Sequence, residues 1–147
     1  MNNNTYNHTD FSGDFISLHD CTVSRLEYTD GVLALEFDEG FWMKEVHHAN
    51  KQDKNVRTGK AKVEFTSESA PAIFVFKKNL FGKLTKKELA ADALAELVKS
   101  KSTELKILGQ FPADNGILIK CWAKDTKSDK VSECHIELTP KKTRYYW

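Results

Sequence analysis

The segment covering residues 18 to 43, LHDCTVSRLEYTDGVLALEFDEGFWM, constrains this chain more than any other, because it alternates and turns as an antiparallel meander does. Leu33, Leu35 and Phe37 share one face and Val32, Ala34 and Glu36 the other, a period of two that a helix cannot use. Ahead of them, Val23, Arg25 and Glu27 alternate with Ser24, Leu26 and Tyr28, and Thr29-Asp30-Gly31 supplies an Asp-Gly turn suited to a tight hairpin. Asp38-Glu39-Gly40 reads as a second hairpin loop with Gly40 in the left-handed position, and residues 41 to 46 as the returning third strand.

Residues 47 to 59, HHANKQDKNVRTG, hold almost no apolar anchor and read as a mobile surface loop. Beyond it, Ala61, Val63 and Phe65 alternate with Lys60, Lys62 and Glu64, while Ala72-Ile73-Phe74-Val75-Phe76 is a continuous apolar run that suits a central strand. A single helix is expected over about residues 85–100. Thr85 can cap it with Glu88 reaching back, Leu84 and Leu89 form the hydrophobic staple, and Leu89, Ala90, Ala93, Leu94, Leu97 and Val98 make one apolar stripe. Three more strands follow at residues 104 to 111, 116 to 124 and 131 to 138, separated by turns rich in Asp, Asn, Gly and Lys. Pro140 is expected to end regular pairing, leaving KKTRYYW as a basic, aromatic tail.

This order lacks the strict alternation of strand and helix that a parallel doubly wound sheet needs. The expected fold is α+β: a large, curved, mainly antiparallel sheet of about eight strands packed on one helix. Residues 15–140 form the single domain, with a flexible arm at residues 1–14 and the tail at residues 141–147. A chain of 147 residues is long enough to bury one core of that kind.

Three cysteines with no CxxC spacing, Cys21, Cys121 and Cys134, indicate reduced, buried thiols rather than a disulfide framework. No apolar run approaches the roughly 20 residues that cross a bilayer, and the start of the sequence lacks a signal core, so a cytoplasmic location without a membrane partner is expected. The net charge of +1 conceals an uneven distribution. Residues 1 to 50 hold nine acidic and two basic residues, the remainder twelve acidic and twenty basic. If that asymmetry persists on the folded surface, it favours a basic protein partner or self-association.

Candidate chemistry is sparse. His19, Asp20 and Cys21 could join Cys134 and His135 around zinc, but neighbours on a strand point to opposite faces, so no metal site is expected. None of the cysteines lies at a helix N-terminus, and the GxSxG, HExxH, phosphate-loop and dinucleotide-binding patterns are missing, so no catalytic residue and no cofactor is expected. His47-His48 read as a solvated pair. Lys77, Lys78, Lys83, Lys86 and Lys87 surround Phe76 and Phe81, a pattern that can hold a nucleic-acid strand, yet overall neutrality and the acidic first third oppose that use. Phe41 and Trp42 place two rings on opposite strand faces, one for the core and one partly exposed.

Leu18-His19-Asp20, the strand after it, the Asp-Gly turn, and residues 33 to 37 running into Gly40-Phe41 resemble the opening of small uncharacterised bacterial proteins, some of them similar to immunity proteins of polymorphic toxin systems. The resemblance spans about residues 16–66. It implies a non-enzymatic, soluble bacterial domain that acts by binding, and it picks out His19 and Asp20. Two functional expectations follow. In the first, an acidic hairpin region of Asp38, Glu39 and Glu45, with Trp42 as anchor, contacts a basic protein. In the second, sheet and helix enclose an apolar pocket for a small molecule or lipid, lined by Phe74, Phe76, Leu94 and Trp122.

Overall fold

The alternation over residues 18 to 43 does form strands, but it distributes them among three sheets. The computed structural model describes residues 6–147, and among these it contains fourteen strands and one helix. In chain order they are β1 (Thr9–Asp10), β2 (Ile16–Ser17), β3 (Cys21–Val23), β4 (Arg25–Thr29), β5 (Val32–Phe37), β6 (Trp42–Met43), β7 (Val56–Arg57), β8 (Ala61–Ser67), β9 (Ala72–Lys78), β10 (Leu84–Leu89), α1 (Ala91–Lys99), β11 (Thr103–Ala113), β12 (Gly116–Asp125), β13 (Val131–Leu138) and β14 (Pro140–Tyr146). A five-stranded sheet runs β1-β14-β8-β5-β4, a six-stranded sheet β10-β9-β13-β12-β11-β3, and a small third sheet β2-β6-β7. Each pairing is antiparallel, as the hairpin pattern predicts. The α+β class therefore holds, and the single curved sheet of about eight strands does not.

The division arises at Ser24. Both its amide and its hydroxyl donate to the Glu36 carbonyl, which ends β3 at the edge of the six-stranded sheet and starts β4 in the five-stranded one. Asp30 and Gly31 then take φ of 52° and 78°, the paired left-handed conformations of a type I′ hairpin, and β4 and β5 register with Leu26 opposite Leu35. Gly40, at φ 79°, turns the chain away from β5 altogether, so the expected third strand shrinks to β6, whose partners are β2 and β7. The loop after it is not a free loop. The Asn50 side-chain amide donates to the carbonyls of Lys44 and Lys54, and Asn55 accepts the Glu45 amide, so residues 44 to 55 are stitched at both ends.

One buried cluster joins the inner faces of the two large sheets. Leu33, Leu35, Phe37, Val63 and Phe65 contribute from the five-stranded sheet, and Ile73, Leu105, Ile107, Ile119, Cys121, Cys134 and Ile136 from the other. At about 25 cal/mol per Å² of apolar surface removed from water, this shared cluster is the main source of stability. All three cysteines are free and buried. On the outer face of the five-stranded sheet, the row Arg25, Glu36, Lys62 interleaves charges from the acidic and basic parts of the sequence, so strand pairing mixes them there.

Two expectations about the ends of elements are overturned. Residues 84 to 89 form an edge strand registered on β9, with Thr85 opposite Lys77 and Leu89 opposite Ile73, so the expected capping box does not cap anything. The helix begins only at Ala91, its N-cap Ala90 makes no side-chain cap bond, and Lys86 and Lys87 lie outside it. Pro140 does not end pairing either. It stands at the first residue of β14, beside a register shift, where a missing N–H is tolerated. Residues 140 to 146 then run between β1 and β8 in the five-stranded sheet. From the expected N-terminal arm, residues 1–5 lie outside the described residues; Asn7 and His8 donate backbone hydrogen bonds to the Trp147 carbonyl and Thr9–Asp10 pairs with β14.

Candidate functional site

The sequence of α1 and the register of β9 and β10 together create an open groove. Leu94 and Val98 are the buried residues of α1, and the helix rests chiefly on β4. That placement covers only part of the inner face of the six-stranded sheet. Between α1, β9, β10 and the β12–β13 end remains a cavity of about 920 Å³. Its buried or half-buried lining is apolar at Val75, Leu89, Leu94 and Ala123 and polar at Ser102, Thr103 and Ser132. Its exposed lining is rich in lysine, with Lys77, Lys78, Lys87 and Lys130, joined by Leu84 and Leu97. Two acidic residues also border it. Asp125 is committed to the backbone amides of Lys127 and Ser128, which hold its carboxyl below the usual range, and Glu133 accepts from His135 on the opposite sheet face.

The expected pocket residues divide between two faces. Phe76 and Leu94 border the groove. Phe74 and Trp122 do not; the register places both on the outer sheet face together with Phe76, which reaches only the rim of the groove, with Phe76, Glu133 and Trp122 in one row and Phe74 and His135 in the next. Lys86 stands 3.9 Å above the Phe74 ring on that outer side, and Trp122 is half exposed there. The pattern of period two was visible in the sequence; which face the helix would cover was not.

His19 and Asp20 act on the backbone. Asp20, in the left-handed region at φ 59°, donates its amide to the Ile107 carbonyl, and the His19 ring contacts the Leu108 carbonyl. Together they dock the start of β3 on the bulge between Ile107 and Gly109. Asp38, Glu39 and Glu45 are exposed, and Trp42 is half-buried. The Arg57 guanidinium stands 5.1 Å from the Trp42 ring and donates to the Glu39 carbonyl, so a cation from the same chain already covers that ring. Phe41 is the ring that enters the core.

The expected solvated histidine pair is half right. His48 is exposed, but His47 is 3% exposed and packs edge-on against Trp147. Its Nε2 lies 2.8 Å from Asp10 Oδ2, and its Nδ1 accepts the Ala49 amide at 3.0 Å. Asp10, His47 and His48 place one ligand atom each within 4.8 Å of one another. Two features oppose metal binding in this arrangement. An Nδ1 that accepts a hydrogen bond puts the proton of the neutral ring on Nε2, the atom a metal would need. The two imidazoles are also stacked, 4.4 Å apart at 25°, whereas an ion about 2.0 Å from both would have to lie near both ring planes. The trio is better described as a hydrogen-bonded lock between β1 and the loop after β6.

The cysteines offer no nucleophile. Cys121 and Cys134 lie directly opposite each other on the inner face, where burial pushes the Cys134 thiol up to about 12 and the Cys121 thiol well above its ordinary value. Cys134 and His135 point to opposite faces of β13, as the alternation requires, and do not share a site.

Comparison with family models, with curated proteins and with solved structures gives no match for this chain.

Proposed function

We propose that this protein is a binding module for an anionic amphiphile, a carboxylate-bearing acyl chain, held in the groove between α1 and the six-stranded sheet. The observation that carries the reading is the chemistry of that groove: an apolar lining of Val75, Leu89, Leu94 and Ala123 beside the exposed lysines Lys77, Lys78, Lys87 and Lys130. Its size, about 920 Å³, lies within the range of small-molecule sites, about 300–1,000 Å³. The apolar part accepts methylenes at about 0.8 kcal/mol each, part of which offsets the cost of immobilising the chain. The lysines fix the orientation by holding the head group at the mouth.

Titration with oleate, followed by calorimetry, tests the reading. Saturable one-to-one binding is expected, weakened more than tenfold by Leu97→Asp, which adds a carboxylate to the groove at an exposed helix position where folding tolerates it. Absence of saturable binding by the wild type, or binding unchanged in Leu97→Asp, would refute it.

A further inference from the structure

The β9–β10 hairpin carries the two most exposed large apolar side chains among the described residues: Leu80 is 100% exposed and Phe81 93%. They stand together at the tip, followed by Leu84 at 57%. The surrounding sequence, KKNLFGKLTKK from Lys77 to Lys87, holds five lysines and no acidic residue. We propose that this hairpin is a membrane-contact element, which inserts Leu80 and Phe81 into the interfacial region of an anionic bilayer while the lysines engage its head groups.

Three observations favour a bilayer. The first is that the tip pairs most of its backbone amides within itself. Asn79 donates its amide to the Lys83 carbonyl and accepts from Gly82 at its own carbonyl, while its side-chain oxygen accepts the amides of both Phe81 and Lys83. A turn that enters a region poor in water needs its amides paired internally, and this one pairs those of Phe81, Gly82 and Lys83 without solvent. The same bonds hold Leu80 and Phe81 outward, where they pack on nothing in the chain.

The second is the order of chemistry along the hairpin. The apolar pair is outermost and Lys78 and Lys83 flank it; Lys77 lies one residue pair further back, and Lys86 and Lys87 lie opposite Phe76 and Val75. At about 3.4 Å per residue, the lysines occupy a collar on the order of 10 Å deep behind the tip, which matches the transition from acyl boundary to head groups. Long lysine side chains can also bend toward the phosphates while their stems stay near the acyl chains. The third is size. Two tip side chains fall far short of the about 1,200 Å² that a stable protein interface buries, whereas a bilayer accepts small apolar wedges when basic residues add to them. A nucleic-acid strand would use the lysines and Phe81 but leaves the aliphatic Leu80 without a role.

The lack of an apolar run long enough to cross a bilayer, and of any described helix that could do so, bears on spanning and not on surface contact. Lys77, Lys78 and Leu84 also line the groove, so the inserted tip would bring the groove mouth to the lipid surface. The proposal does not rest on the groove being occupied.

Co-sedimentation with vesicles of phosphatidylcholine alone, and with phosphatidylserine added, tests it. The wild type is expected to sediment with the mixed vesicles, to lose that association at high salt, and to bind the neutral vesicles weakly. With about fivefold per lysine near an anionic surface, Lys78→Glu with Lys83→Glu should lower partitioning by more than tenfold. Leu80→Ser with Phe81→Ser should lower it by a similar factor while keeping the wild-type circular dichroism, since neither side chain packs on the fold. Oleate binding by that double variant should be unchanged, so failure of the hairpin reading and failure of the groove reading are told apart. The proposal is overturned if the wild type ignores mixed vesicles, if the Leu80 and Phe81 variant partitions as well as the wild type, or if the tip instead drives self-association in solution.

Discussion

Replacement of Asp10 by alanine isolates the most consequential polar contact in the structure. Asp10 Oδ2 lies 2.8 Å from Nε2 of the buried His47, and Asp10 Oδ1 accepts the amide of Ser12 at 2.9 Å and its hydroxyl at 3.1 Å. Ser12 is exposed and can turn to water; His47 cannot. Asp10→Ala therefore strands one buried N–H, a loss of about 1–3 kcal/mol, and a chain of this length should lose about 2–4 °C in Tm for each kcal/mol. Asp10→Asn keeps one acceptor oxygen, which can serve His47, and should lose less than Asp10→Ala. Burial opposes ionisation of Asp10, but the hydrogen bonds from Ser12 and His47 outweigh it and hold the carboxyl below its ordinary value of 3.8. A carboxyl depressed on folding stabilises above its unfolded pKa, and that contribution is lost as pH falls through the folded value. Thermal unfolding of wild type and Asp10→Ala should thus differ most near neutrality, and the gap should narrow without closing as pH falls below about 3.8, since a protonated carboxyl still offers His47 an acceptor oxygen. Added zinc should leave the wild-type Tm unchanged. A wild-type Tm raised by zinc, with the rise abolished in Asp10→Ala, would refute the hydrogen-bonded lock and establish a metal site in its place.

Leu94→Ala, at the contact between α1 and the core, should lose about 2–5 kcal/mol in a urea melt, because Leu94 is fully buried there. Gly40→Ala should lose at least the about 1–2 kcal/mol of a left-handed residue, since its added Cβ would stand 2.3 Å from Thr58 Oγ1 and 2.4 Å from the Gly59 carbonyl oxygen; chemical denaturation measures this directly. Cys121 and Cys134 should resist a thiol reagent in the native protein and react together once it unfolds, as burial keeps both protonated at neutral pH.

The sequence disclosed local pairing well and sheet membership poorly. The β4–β5 hairpin, with Asp30-Gly31 in its turn, is specified by residues adjacent in sequence, and its register follows from alternation alone. The transfer at Ser24 depends on Glu36, twelve residues away, and nothing local marks it. Residues 84 to 89 satisfy two patterns at once. Thr85 and Glu88 fit a helix cap, while Leu84, Lys86 and Glu88 alternate with Thr85, Lys87 and Leu89; the open edge of β9 decides for the strand. In β14 the alternation of Thr143 and Tyr145 with Lys142 and Arg144 was legible, and Pro140 obscured it. The groove required knowing which face α1 covers, a long-range fact. The hairpin tip was half visible, since its lysines and Phe81 stood out in the sequence but their full exposure did not.

The position of β14 between β1 and β8 also bears on how the chain reaches this state. During synthesis β8 is made long before residues 140 to 146, so one side of it has no partner through most of that interval. A strand edge held open for so long invites pairing with other chains, and folds that wait on distant segments cross a slow, exposed stage. Early aggregation during expression, relieved by lower temperature or slower synthesis, is the behaviour this topology favours, however stable the finished sheet.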